Sequence, residues 1–130
     1  MLKPLVFVYG SLRRGHCAHP RLRPAAVCLG RASIAGRLHD CGRYPAARPS
    51  RRLGERIHGE LYRLNRPRVL AALDRYEDCD LKQPQRGEYR RESVTVCLAG
   101  RRLNAWVYWH NGPLRGARRI RSGAWRGWRR

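Results

Sequence analysis

A chain of 130 residues is long enough for one domain with its own core and short for two. Apolar runs such as Leu5-Val6-Phe7-Val8-Tyr9 stay far below the roughly 20 residues that span a bilayer, which excludes a membrane-spanning helix. With 29 basic residues against 9 acidic ones the formal charge is +20, so polyanions enter as partners, while five scattered cysteines without a C-x-x-C pair argue against a disulfide framework or a zinc ribbon. Lys3 and Lys82 are the only lysines, so 27 of the basic residues are arginine; a coding bias explains so lopsided a choice as well as nucleic-acid binding does.

In chain order, Leu5-Val6-Phe7-Val8-Tyr9 reads as a buried central strand stopped by Gly10. Residues 11–24, rich in Arg, His, Gly and Pro, read as a loop. Residues 27–38 alternate loosely around two glycines and read as one long, kinked strand. Residues 42–52, punctuated by Gly42, Pro45 and Pro49, read as an irregular surface loop, and residues 57–64 return to strand character. Asn65 is the expected cap of a helix with Pro67 in its first turn and Val69, Ala72, Leu73 and Tyr76 on one face, ending near Glu77. Residues 93–98 and 103–109 read as strands joined by a hairpin turn at residues 99–102. The sum is an α+β fold: a small, mixed, mostly antiparallel β-barrel with few flanking helices, over residues 1–111. Residues 112–130 form a basic tail rich in Arg and Trp, either mobile or packed through Trp125 and Trp128. The first ten residues lack the apolar stretch and cleavage site of a secretory signal, so the expected compartment is the cytoplasm.

Two constellations carry chemistry. The strand-to-turn segment Tyr9-Gly10-Ser11-Leu12-Arg13 can aim successive N–H groups at an anion; the plain alternative is a turn in which Gly10 merely permits the bend. A P-loop is excluded because His16 stands where its lysine should be. The second constellation is acidic: Asp74, Glu77, Asp78 and Asp80 supply four of the nine acids at a helix C-terminus, where the macrodipole disfavours carboxylates. Its plain alternative is a solvated helix end facing nearby arginines. His16, Cys17 and His19, with Cys28 or Cys41, match no zinc spacing, so no metal is expected. The tail with Trp125 and Trp128 suits single-stranded nucleic acid or simply a solvated terminus.

Taken together, Val8-Tyr9-Gly10-Ser11-Leu12-Arg13, Gly42-x-Tyr44-Pro45, Gly59-Glu60-Leu61-Tyr62-x-Leu64, Leu73-Asp74-x-Tyr76-Glu77, Tyr89-x-Arg91 with Val94 and Val96, and Ala105-Trp106-x-Tyr108 resemble the gamma-glutamylcyclotransferase-like family, which includes gamma-glutamylaminecyclotransferases and AIG2-like proteins. The blocks run in the family's order over about residues 5–111. The resemblance implies a curled barrel in which Tyr9, Gly10, Ser11 and Leu12 bind a small gamma-glutamyl substrate and Glu77 is the catalytic acid/base, with neither metal nor cofactor. It implies release of 5-oxoproline by attack of the substrate's own alpha-amino group on its gamma-carbonyl. Asp78, Cys79 and Asp80 depart from the Glu-Gly pair common after that glutamate in bacterial relatives. The competing reading is a nucleic-acid-binding module on the same fold with the acidic cluster idle; on the enzyme reading the arginines give only weak, non-specific polyanion binding.

Overall fold

The computed structural model describes residues 3–10, 12, 13, 19–22 and 25–126. Five strands close into a barrel in the order β1 (Leu5–Val8), β5 (Arg56–Leu64), β2 (Ala26–Ala35), β6 (Tyr89–Leu98) and β7 (Arg101–His110). β1 runs antiparallel to β5 and parallel to β7, which makes the barrel mixed. Both faces of β1 are covered: Phe7 points into the barrel cluster with Ile34, Leu61 and Val107, whereas Val6 and Val8 join a second cluster with Leu64, Leu73 and Tyr108. That explains why the strand reads as an unbroken apolar run rather than an alternating one.

The single kinked strand expected over residues 27–38 is two strands. β2 carries a bulge between Cys28 and Gly30 and ends at Ala35; the Gly36 N–H then turns to the Glu55 carbonyl at 3.1 Å, and β3 (Arg37–Asp40) leaves the barrel. β3 forms a separate three-stranded sheet with β4 (Pro45–Arg48) and β8 (Arg118–Arg119). β4 corrects the expected irregular loop. Pro45 is tolerated because it opens an edge strand, and Ala46 and Ala47 are fully buried, so packing outweighs the turn-forming composition. Glu55, itself buried, ties this sheet to the barrel by accepting Arg37 Nε at 2.9 Å, Arg119 Nη2 at 2.6 Å and the Ser50 hydroxyl.

The helix α1 spans Pro67–Tyr76 with Pro67 at its first position, but its N-cap is Arg66 in an extended conformation, not Asn65. The helix buries Leu73 and Asp74, with Val69 and Leu70 partly covered, while Ala72 is exposed and Tyr76 partly so. The buried stripe is therefore rotated toward Asp74 relative to the apolar pattern, because that carboxylate finds buried partners. The β6–β7 turn is tighter than expected: Leu98 pairs with Arg101, and Ala99 and Gly100 both take positive φ, the pattern of a two-residue type I′ turn. In the tail, Trp125 and Ile120 join the barrel cluster and the Gly123 carbonyl accepts the His58 N–H at 2.8 Å. Trp125 thus packs, and Trp128 lies outside the described residues. Among the described residues no helix is long and apolar enough to cross a membrane.

Candidate active site

Where β1 ends, Val8, Tyr9 and Gly10 form one wall of a cavity of about 200 Å³. Leu12, buried in the second cluster, closes it from the following turn, and Glu77 enters from the end of α1. Gly10 sits where space is tight. A side chain there would bring its Cβ to 3.0 Å from Cγ of Pro45, itself a lining residue. The turn is braced: the Arg13 N–H donates to the Gly10 carbonyl at 3.0 Å, its guanidinium donates to the Trp125 carbonyl, and His19 Nδ1 meets the Leu12 carbonyl at 2.9 Å. His19, one of the residues tested for metal-ligand spacing, is therefore engaged by the backbone, and His16, Cys17 and Ser11 lie outside the described residues. Among the described residues no three His, Cys, Asp or Glu side chains gather as a metal site.

Glu77 is the C-cap of α1. The helix ends in a Schellman arrangement: Cys79 N–H donates to the Asp74 carbonyl at 2.8 Å and Asp78 N–H to the Arg75 carbonyl at 3.2 Å, with Asp78 in the left-handed region at φ 50. The aspartate that departs from the family's usual sequence thus occupies the glycine position of a helix terminus. Burial pushes the Glu77 carboxyl from 4.5 up to about 8, with the like charge of Glu88 adding to the rise and Arg21 opposing it.

The rest of the acidic cluster divides by function. Asp74 is buried, accepts the Tyr108 hydroxyl at 2.7 Å and pairs with Arg91 Nε at 2.9 Å, while the Arg91 guanidinium lies 4.2 Å from the Trp106 ring centroid. Tyr108 in turn accepts, through its carbonyl, the hydroxyl of Tyr9. Asp74 therefore anchors Tyr108, whose backbone holds Tyr9. Asp80 accepts the N–H groups of Lys82 and Gln83 at 3.0 Å in an exposed turn, and neither Asp78 nor Asp80 lines the cavity.

Sequence reasoning named Tyr9, Gly10, Leu12 and Glu77, and these meet in one cavity. It missed Glu88, and it quoted Tyr44, Tyr76, Tyr89 and Tyr108 only as parts of motifs; all five line the same space. Burial, with nearby carboxylates, raises Tyr9, Tyr89 and Tyr108, so these phenols stay protonated as donors. Glu88 is presented by a pinned loop: Asn111 Nδ2 donates to the carbonyls of Pro84 at 2.7 Å and Gly87 at 2.9 Å, and Asn111 N–H to that of Glu88 at 3.0 Å. A Cβ on Gly87 would sit 2.2 Å from the Asp78 carbonyl, so glycine allows the Glu88 loop to close on the helix end. The available signal was an acid standing alone beside Tyr89 in a basic chain.

Residues 6–127 match the family model described as gamma-glutamyl cyclotransferase, AIG2-like. The chain belongs to this family. It is 33% identical over 121 residues to the gamma-glutamylcyclotransferase family protein YtfP of Escherichia coli, covering 92% of this chain and 94% of that one. It is also 34% identical over 117 residues to the gamma-glutamylaminecyclotransferase of Bos taurus, covering 79% of this chain and 63% of the bovine protein. Among solved structures it resembles the AIG2-like protein of Mus musculus, with a TM-score of 0.71 at 25% identity over 87% of this chain and 81% of that one. The solution structure of ytfP from Escherichia coli aligns with a TM-score of 0.66 at 32% identity over 94% of this chain and 96% of that one. The mixed five-stranded barrel, with α1 the one α-helix among the described residues, is accordingly the fold seen in the AIG2-like protein.

Proposed function

We propose that this chain is a gamma-glutamyl cyclotransferase that converts gamma-glutamyl amines or amino acids to 5-oxoproline and a free amine. The observation that carries this reading is the convergence of Tyr9, Gly10 and Leu12 with Glu77, far apart in sequence, on one small cavity. In this reaction the substrate's alpha-nitrogen forms a bond to the gamma-carbon, the bond from that carbon to the leaving nitrogen breaks, and one proton moves from the first nitrogen to the second. The nucleophile is already tethered, so the protein need only hold the chain folded and carry that proton. Tethering of this kind reaches effective molarities of about 10⁵–10⁸ M.

The Gly10 and Leu12 N–H groups receive the alpha-carboxylate or the developing oxyanion, together with Ser11 by family resemblance. Protonated phenols at Tyr9, Tyr89 and Tyr108 line the substrate without adding charge. Glu77 takes the proton from the alpha-ammonium. For a carboxylate of ordinary pKa, accepting a proton from an ammonium of pKa near 8 costs about 5 kcal/mol; with Glu77 itself near 8 that cost is close to zero. Matched acidities also allow the same group to return the proton to the departing amine. Among the described residues Cys28, Cys41, Cys79 and Cys97 form no disulfide with one another, which suits a reducing compartment, and we place the reaction in the cytoplasm. The exposed arginines add weak, salt-sensitive affinity for polyanions. The test is to incubate the protein with a panel of gamma-glutamyl amines and amino acids and measure 5-oxoproline by mass spectrometry. Release from at least one of them supports the reading, and release from none overturns it.

A further inference from the structure

The sheet of β3, β4 and β8 sends Leu38 and Ala47 into the barrel cluster. On its other face the register places Arg37 of β3 opposite Arg48 of β4, and Arg119 of β8 opposite His39. Two guanidiniums directly across from one another destabilise a sheet, so the first pairing runs against local preference. This face and the loop after β4 border an open cleft of about 730 Å³, which shares no lining residue with the cavity at Glu77. Four of its eight lining residues are arginine, Arg37, Arg48, Arg51 and Arg52, and none is acidic. Arginine supplies 27 of 130 residues in the whole chain, so a general bias toward arginine does not account for that density.

Glu55 is the one carboxylate that answers this charge, and it is spent on Arg37 and Arg119. Among the described residues no carboxylate lies within ion-pair distance of Arg48, Arg51 or Arg52. Arg48 is held instead by a neutral group: its Nη2 donates to the Gly112 carbonyl, and its Nε is buried without a hydrogen-bond partner. That contact fixes the guanidinium without cancelling its charge. Arg51 and Arg52 are exposed on a braced loop, where the Arg52 N–H donates to the Ser50 hydroxyl at 3.2 Å and the Glu55 N–H to the Arg52 carbonyl at 3.2 Å. Burial lowers the His39 imidazole, and Arg37, Arg48 and Arg119 lower it further, as a positive local potential requires.

Guanidiniums receive phosphate oxygens through paired N–H donors, and several at once favour a ligand whose charges are close together. Pro49 and Leu114 are the apolar residues of the lining and no aromatic ring borders it, so the cleft lacks the stacking platform on which single-stranded nucleic acid is held. We propose that this cleft binds the polyphosphate group of a small ligand, two or more linked phosphates, at a site separate from the cavity at Glu77.

The test is calorimetric titration of the full chain at about 0.15 M salt, where attraction to the rest of the +20 surface is screened beyond about 8 Å. Tripolyphosphate should bind at one site per chain, about tenfold tighter than orthophosphate. Arg51→Gln combined with Arg52→Gln should weaken it by about tenfold or more. Arg101→Gln combined with Arg102→Gln removes the same charge from exposed positions at the start of β7 and should change it by less than about twofold. Adenosine triphosphate should match tripolyphosphate to within about threefold, because nothing in the cleft stacks a base. Absence of saturable binding, or equal weakening in the two double variants, overturns the proposal, the latter by reducing the effect to net charge. So does an oligothymidylate whose binding falls in the Arg51 and Arg52 variant while that of tripolyphosphate stands, which would make the cleft a nucleic-acid surface. The readout is binding and not 5-oxoproline, so this proposal and the cyclotransferase reading fail independently.

Discussion

Replacing Glu77 by Gln should make the protein more stable, and only above about pH 5. The carboxyl is raised from 4.5 to about 8 by burial in the cavity, with Glu88 adding to the rise. Between those two values the folded protein retains a proton that the unfolded chain has released, so the free energy of unfolding falls as pH rises through the window. Below about pH 4.5 both states are protonated and the loss disappears. At about 1.4 kcal/mol per pH unit, the interval sets a ceiling of about 5 kcal/mol. Solvent reaching the carboxyl through the open rim reduces this to about 2–3 kcal/mol. Glutamine keeps the shape and cannot ionise, so the difference between variant and wild type isolates Glu77 from the chain's other carboxylates. Urea unfolding of both proteins at pH 5 and pH 8.5 reads it: the midpoints should nearly coincide at pH 5 and separate by about 1–2 M at pH 8.5, with Glu77→Gln the more stable. Curves separated equally at both pH values would refute the buried, proton-holding carboxyl.

On the proposed reaction the same titration would shape activity: one proton is shared between Glu77 and the substrate amine, both titrating near 8, so kcat/KM should form a narrow bell centred near pH 8. A broad plateau starting near pH 5 would show an ordinary carboxylate instead. Asp78→Gly should stabilise the fold by about 0.5–1 kcal/mol, raising Tm by about 2–6 °C, because glycine relaxes the residue at φ 50 that ends α1. An unchanged or lower Tm in calorimetry would count against that account of the helix end. Asp74→Ala should cost about 3–5 kcal/mol in chemical denaturation, since it leaves the Arg91 charge buried without its partner and the Tyr108 hydroxyl without an acceptor. A loss below about 1 kcal/mol would mean the pair is solvated.

The barrel was legible where burial imposes a pattern. The apolar β1, the strand character of residues 57–64 and the Pro67 start of the helix all follow from local composition, and ordered family motifs joined them into one fold. The departures arise where long-range contacts override local preference. Pro45 lies in a strand because β3 offers it an edge, and the stretch after Val27 splits because the Gly36 N–H finds Glu55. The helix stripe turns toward Asp74 because Tyr108 and Arg91 wait there from strands far away in sequence. The candidate site was half legible. Tyr9, Gly10, Leu12 and Glu77 sit in recognisable motifs, whereas Glu88 acquires its place only when Asn111 and Gly87 fold its loop onto the helix end.

The central claim is that one carboxylate carries the proton, and paired variants of neighbouring acids test it most directly. Glu77 lines the cavity and Asp78, the next residue, does not. With a gamma-glutamyl amide as substrate and 5-oxoproline as the readout, Glu77→Gln should bind substrate, fold normally and lose turnover by about 10²–10⁴, the usual contribution of a positioned acid/base. Asp78→Asn should cost far less. Equal turnover in the two variants, or a Glu77→Gln that keeps most of its activity, would contradict the assignment and reduce Glu77 to part of a charged helix end.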